Sequence, residues 1–321
     1  MTTLRIGTRG SQLALYQANT TAALLRERTG TPTEIVVIRT SGDRLAEASL
    51  SEIGGKRLFV KEIEDALLAG SVDLAVHSSK DMPAVLPDGL DIAAVLPRED
   101  PRDAIVLPAG AVPGPATLEA IRARLGTSPR IGTSSVRRIA QLTRLFPGAR
   151  YLPIRGNLDT RLRKLDSGDF DAIVLAAAGL RRLGFEARIS NAIDTADCVP
   201  APGQGIIALE IRSDDARTRA LLAALDDTPT TQALAAEREV VRALGGGCQM
   251  PIGAFATVSG DAMTLGAIVT SLDGTRVVRG TASGAATDGL RLGTAVAADL
   301  LRQGAAAILA EAAQVPQAGP R

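Results

Sequence analysis

Cysteine, histidine, lysine and aromatic side chains are all scarce in this chain of 321 residues. Cys198 and Cys248 are its only cysteines, and His77 is its single histidine. Two cysteines give no disulfide framework, which suits a reducing compartment. One histidine leaves neither a His-rich metal site nor a Ser-His hydrolase with a spare imidazole, so no metal is expected. Tryptophan is absent and aromatics make up 2%, so the cores must be built from Leu, Ile, Val and Ala. No apolar signal core follows Met1, and no later run is long enough to span a bilayer; the expectation is a cytoplasmic protein. A formal net charge of +1 argues against bulk electrostatic binding to nucleic acid or to a membrane surface.

Among the 36 basic residues only Lys56, Lys61, Lys80 and Lys164 are lysines, leaving 32 arginines. The planar arginine fork suits carboxylates. A GC-rich genome would produce the same bias, so only the placement of individual arginines can carry function.

The length calls for more than one hydrophobic core. A β-then-α rhythm runs from Leu4 to about Ala177–Leu183, which predicts α/β units with parallel sheets and helices on both faces. Pro200, Pro202, Gly203 and Gly205 mark a crossing segment before a strand at Ile206–Ile211. From about Thr228 the pattern becomes one helix, three strands near Phe255–Val258, Met263–Thr270 and Arg276–Ser283, and a long helix over Asp288–Ala312. That last part reads as an α+β unit with an antiparallel sheet.

Familiar nucleotide motifs fail here. Gly55-Lys56 lacks the spacing of a P-loop, and Gly203-Gln204-Gly205 precedes a strand instead of opening a helix. Other segments are richer. His77-Ser78-Ser79-Lys80-Asp81, expected just past a strand's carboxyl end, packs hydroxyls, an ammonium and a carboxylate where α/β sheets present ligands. Gly132-Thr133-Ser134-Ser135-Val136-Arg137-Arg138 and Ile154-Arg155-Gly156-Asn157 each follow a strand and open a helix, as anion-binding helix starts do. Arg9-Gly10-Ser11 repeats the build. Together they suggest a ligand with several carboxylates or phosphates. Gly245-Gly246-Gly247-Cys248-Gln249-Met250-Pro251 places a thiol on a loop stripped of bulk.

In this order, and joined by Gly54-Gly55-Lys56, Glu99-Asp100-Pro101-Arg102-Asp103, Leu152–Arg161 and Pro202-Gly203-Gln204-Gly205, these blocks resemble the porphobilinogen deaminase (hydroxymethylbilane synthase) family over essentially the whole chain. Ser79 is smaller than the residue expected at its position. The resemblance implies a covalent dipyrromethane cofactor joined by a thioether to Cys248. It further implies that four porphobilinogen units are added with loss of ammonia, releasing hydroxymethylbilane. Asp81 would serve the chemistry, stabilising the cationic pyrrole and relaying protons. Arg9, Ser11, Lys80, Thr133, Ser134, Arg137, Arg138, Arg155, Arg161 and Arg182 would bind cofactor or substrate carboxylates.

The fold so implied is two doubly wound α/β domains like a bilobed periplasmic binding protein, plus a small C-terminal α+β domain. Their expected bounds are 1–103 with 201–226, then 104–200, then 227–321. Ser41–Gly55 would cover the cleft, and the expected state is a monomer. Two rival readings use the same residues. A bilobed binding protein for a small dianion leaves Cys248 unexplained, and a thiol enzyme pairing Cys248 with His77 lacks a third, orienting residue.

Overall fold

The computed structural model describes residues 2–40, 60–111, 116–247 and 250–314. Strand β1 (Leu4–Thr8) leads into helix α1 (Gln12–Thr29). The Ser11 side chain accepts the Ala14 N–H at the start of α1, and Ala18, Ala22 and Leu25 recur at helical spacing on its buried face. β2 (Thr33–Val37), α2 (Lys61–Leu68), β3 (Leu74–Ser78) and β4 (Leu90–Val95) follow. The chain then crosses into a second sheet. Its strands are β5 (Asp103–Val106), β6 (Arg130–Gly132), β7 (Arg150–Leu152), β8 (Ala172–Ala176) and β9 (Asn191–Ala192). Helices α3 (Leu118–Leu125), α4 (Val136–Leu145), α5 (Leu158–Asp166) and α6 (Ala177–Arg182) connect them.

β10 (Ile207–Arg212) then returns to the first sheet and inserts between β3 and β4. The orders are therefore β2-β1-β3-β10-β4 and β7-β6-β8-β5-β9. Neither sheet is purely parallel, as the alternation had predicted. β10 runs antiparallel to both neighbours, and β5 runs antiparallel to β8 and β9. These are the strands that follow a crossing between sheets, so a right-handed helical crossover does not set their direction.

Two lengths of chain cross between the sheets side by side. The Glu99 N–H donates to the Gly205 carbonyl at 3.1 Å and the Leu96 N–H to Ile207 at 3.1 Å. Gly205 has φ +88, and a Cβ there would lie 2.2 Å from the Glu99 carbonyl oxygen. Only glycine permits this approach.

Helix α7 (Ala216–Leu222) closes the first unit, and α8 (Thr228–Ala243) opens the third. β11 (Ile252–Ser259), β12 (Ala262–Thr270) and β13 (Val277–Ala285) form an antiparallel meander. Its core joins Ala236 and Val240 of α8 to Ala254, Leu265, Val296 and Leu300. The expected long terminal helix is instead two helices, α9 (Gly289–Arg302) and α10 (Ala305–Gln314), bent by 80°. Gly304, at φ +98, ends the first of them. No single helix among the described residues is long and apolar enough to cross a membrane.

Buried Glu237 of α8 ties three segments together. It accepts Arg98 at the end of β4, the Gly203 N–H at 2.7 Å and the Ala256 N–H of β11 at 2.8 Å. Removing either charged partner would strand the other, a loss on the order of 3–5 kcal/mol.

Candidate active site

The turn after β3 is held in place before any ligand arrives. β3 extends through Ser78 because it pairs with β10, Ile207 opposite Ser78 and Ala208 opposite His77. His77 is therefore a strand residue and not part of the exit loop expected from sequence. It is buried, with Nε2 2.9 Å from the buried Glu210 carboxylate. This pairing engages it inside the sheet, which weakens the reading of His77 as a base for a distant thiol. Ser79–Asp81 form one tight 3-10 turn, closed when the Met82 N–H donates to the Ser79 carbonyl. Met82 is buried and Asp81 is exposed. Asp81 faces a cavity shared with Arg9, Ser11, Gln17, His77 and Ser78.

Lys80 points the other way, its ammonium 3.3 Å from Gln204 Oε1. Burial of that ammonium and the positive charge of Arg138 lower its pKa to about 8, against the pull of Asp81 and Asp103.

In the second sheet, the hydroxyls expected to meet an anion brace their own turns. Thr133 Oγ1 accepts the Ser135 N–H at 3.3 Å, and Ser135 Oγ caps α4 by accepting the Arg138 N–H at 3.4 Å. Ser134 Oγ donates to the Ile154 carbonyl at 3.0 Å and accepts the Ile154 N–H at 3.1 Å. That exchange fastens the turn before α4 to the turn before α5. Asn157 Oδ1 caps α5 through the Thr160 N–H at 3.0 Å, leaving Arg155 half-buried beside it.

Arg137 and Arg138 are buried and share one carboxylate. Asp103 receives Arg137 Nη1 at 2.7 Å, Arg138 Nε at 2.9 Å and Gln204 Nε2 at 3.0 Å. Burial alone would raise the pKa of Asp103. The two guanidiniums and Gln204 overcome this and hold it well below the usual carboxylate range. The cluster is thus an ionised group of two cations and one anion, with positive charge left for a ligand. Arg137 Nε is buried and makes no hydrogen bond to the described residues. Cys198 lies in the same cluster, 3.3 Å from Asp103, where burial pushes its thiol up to about 12. It is no nucleophile at neutral pH.

Arg161 Nε donates to the Gly156 carbonyl at 2.9 Å. Burial and Arg138 lower its pKa to about 10, against the pull of Asp81. Arg161, Arg138 and Asp81 therefore share one electrostatic neighbourhood across the two sheets. Arg182 Nη2 reaches the Gly205 carbonyl at 2.6 Å, and burial lowers its pKa against the pull of Glu99.

A second cleft, about 580 Å³ of empty space, is lined by residues of all three sheet units. Lys80, Met82 and Ala84 come from the first, Ser135 and Arg137 from the second, and Arg238, Val241, Gly247, Met250 and Ile252 from the third. Cys248 and the stretch 41–59, including Lys56, lie outside the described residues, but Gly247 and Met250 flank Cys248 in sequence.

Sequence reasoning missed Asp103, Gln204, Glu237 and Arg238 as organisers. Asp103 and Gln204 stood within matched blocks, but the partners that give them their role lie 34 residues or more away, beyond the reach of a local reading.

Two family models match the chain. One, described as "Porphobilinogen deaminase, dipyromethane cofactor binding domain", covers residues 4–220. The other, "Porphobilinogen deaminase, C-terminal domain", covers residues 231–302. Among curated relatives, the porphobilinogen deaminase of Syntrophobacter fumaroxidans is 48% identical over 96% of this chain and 97% of its own length. That of Acidithiobacillus ferrooxidans is 50% identical over 95% and 97%, and that of Trichlorobacter lovleyi 47% over 97% of each. A solved ancestral cationic amino acid solute binding protein covers 70% of this chain and 88% of its own at 15% identity and a TM-score of 0.43, too distant a likeness to carry function.

Proposed function

The chain belongs to the porphobilinogen deaminase family, and from that membership we propose how its own residues divide the work. The enzyme is a transferase of tetrapyrrole biosynthesis that condenses porphobilinogen units on a dipyrromethane cofactor. We assign the thioether attachment to Cys248, the acid–base and cation-stabilising role to Asp81, and the carboxylate contacts to Arg9, Ser11, Lys80, Thr133, Ser134, Arg137, Arg138, Arg155, Arg161 and Arg182. We take the domain bounds as 1–103 with 201–226, 104–200 and 227–321, a division that the presence of three sheets supports. The same reading takes the enzyme as a cytoplasmic monomer with porphobilinogen as its small-molecule partner.

The residues suit such a group. Two linked pyrroles carry four carboxylate arms on a flat apolar body. The cleft is lined by the basic Lys80, Arg137 and Arg238 together with the apolar Met82, Val241 and Ile252, a mix of charge and apolar surface typical of ligand pockets. Among the described residues its buried Arg137 Nε has no partner, which is rare for a buried donor and suits a site built for an acceptor. When bound, the cofactor supplies the primer to which new pyrroles are joined. Asp81, exposed beside Arg9, holds a negative charge where an incoming pyrrole develops a positive one, and it accepts the proton that each coupling releases. Arg138 keeps Asp103 and Val174 as its partners and Arg161 keeps Gly156, and the positive charge of the two guanidiniums favours carboxylate arms nearby.

The cleft shared by Lys80, Arg137 and the neighbours of Cys248 is the single observation that carries this reading. Intact mass spectrometry tests it. Freshly purified protein should exceed the sequence mass by two linked pyrrole units, mapped to the Cys248 peptide. An unmodified protein that also gains no mass from porphobilinogen would reject the reading.

Lys80 supplies a second expected result. Its ammonium loses its proton near pH 8, so its hold on a carboxylate weakens above that value. Porphobilinogen affinity should fall by up to about tenfold between pH 7 and pH 9, the worth of one charge-assisted hydrogen bond. Calorimetric titration of a Cys248→Ala protein, unable to turn over, reads this directly. Lys80→Met should flatten the profile; a wild-type profile already flat would count against it. Because the folded pKa lies below the ordinary lysine value of 10.5, the unfolded chain binds this proton more tightly between about pH 8 and 10.5. Lys80 therefore makes stability rise with pH across that window.

A further inference from the structure

Arg238, outside every expected set of site residues, clasps the turn that carries Asp81. It projects from α8, and its Nη2 donates to the Pro83 carbonyl at 2.8 Å and to the Ala84 carbonyl at 3.1 Å. Pro83 has no N–H, so this stretch cannot close its own backbone hydrogen bonds as a helix or ladder would. A guanidinium is rigid and charged, and it replaces the missing donors. One turn earlier on the same face of α8, Leu234 packs in one apolar cluster with Met82. Ala84 packs against the core of the third unit. Arg238 also lines the 580 Å³ cleft together with Lys80 and Gly247.

We propose that Arg238 is a positioning residue, docking the Asp81 turn onto the helix that leads to the cysteine loop. The Asp81 turn and α8 then keep a fixed relation. The inference rests on the roles assigned above to Asp81 and Cys248.

The test uses Arg238→Met, which keeps the stem and removes the fork, and Arg238→Lys, which keeps charge and one donor site. Arg238→Met should still carry the two-pyrrole mass. Its kcat should fall about ten- to hundredfold, the usual effect of displacing a reacting group by an ångström. KM for porphobilinogen should change little, and Arg238→Lys should recover part of kcat. Independently of turnover, amide hydrogen exchange across residues 79–86 should quicken in Arg238→Met and less so in Arg238→Lys.

Unchanged kcat and exchange would overturn the proposal. So would a rise in KM with unchanged exchange, which would make Arg238 a direct ligand contact. If Arg238→Met does not fold, exchange and kcat in Arg238→Lys decide alone. A wild-type protein without the pyrrole mass would sink the functional reading, yet the exchange measurement would still judge the clasp.

Discussion

Asp81→Asn should leave an enzyme that carries its cofactor and barely turns over. Asparagine matches aspartate in size, and the turn beneath it is fixed by Met82 and by the Met82 N–H bond to Ser79, so local structure survives. The negative charge and the proton-accepting oxygen are what vanish. A positioned general base is worth roughly 10²–10⁴-fold, and loss of charge stabilisation acts on the same step. The fall in kcat should therefore reach at least the upper part of that range. Steady-state kinetics beside an intact-mass measurement checks it: full cofactor mass with turnover near background is the expected pair. Asp81→Asn with wild-type kcat would remove Asp81 from the mechanism. Loss of the cofactor mass would instead make Asp81 a residue of assembly.

Cys248→Ala should abolish the enzyme by a different route. Without a thiolate there is nothing to form the thioether, so the protein should show its bare sequence mass even after long incubation with porphobilinogen. Activity should be undetectable, because no primer is held. Cys198→Ala is the matching control. Its thiol is buried against Asp103 and held near pKa 12, so that variant should keep the pyrrole mass. A Cys248→Ala protein that gained the mass, or a Cys198→Ala protein that lost it, would mean that the attachment point was misassigned.

What was legible in the sequence was local or repetitive. Ser11, Ser135 and Asn157 announced helix starts because a cap acts on residues two or three positions away. The three-sheet plan was legible because hydrophobic periodicity repeats over many residues. The antiparallel insertion of β10 was not, since strand direction in a mixed sheet depends on a connection spanning the whole second sheet. The Asp103 cluster was hidden for the same reason. Its arginine partners sit 34 and 35 residues on, and a buried carboxylate at a strand start has the same letters as an exposed one. His77 misled because its strand is extended by residues 207 and 208, which no window around position 77 contains. The break at Gly304 did have a signal: glycine in an Ala/Leu run costs about 1 kcal/mol against alanine and often marks an end.

The place of β10 also sets an order of events at the ribosome. Among the described residues of the first sheet β4 pairs only with β10, so until residue 212 has left the exit tunnel β3 keeps an open edge and β4 has no neighbour among them. The last strand of the second sheet ends at residue 192, and its core and ion cluster are completed by Cys198 and Gln204. That sheet can close while the first still waits, although the first began earlier. The N-terminal half of the nascent chain therefore spends the synthesis of more than a hundred residues with unpaired strand edges, the state in which chains pair with the wrong neighbour. Protection during that interval has to come from chaperones or from the short length of the exposed strands.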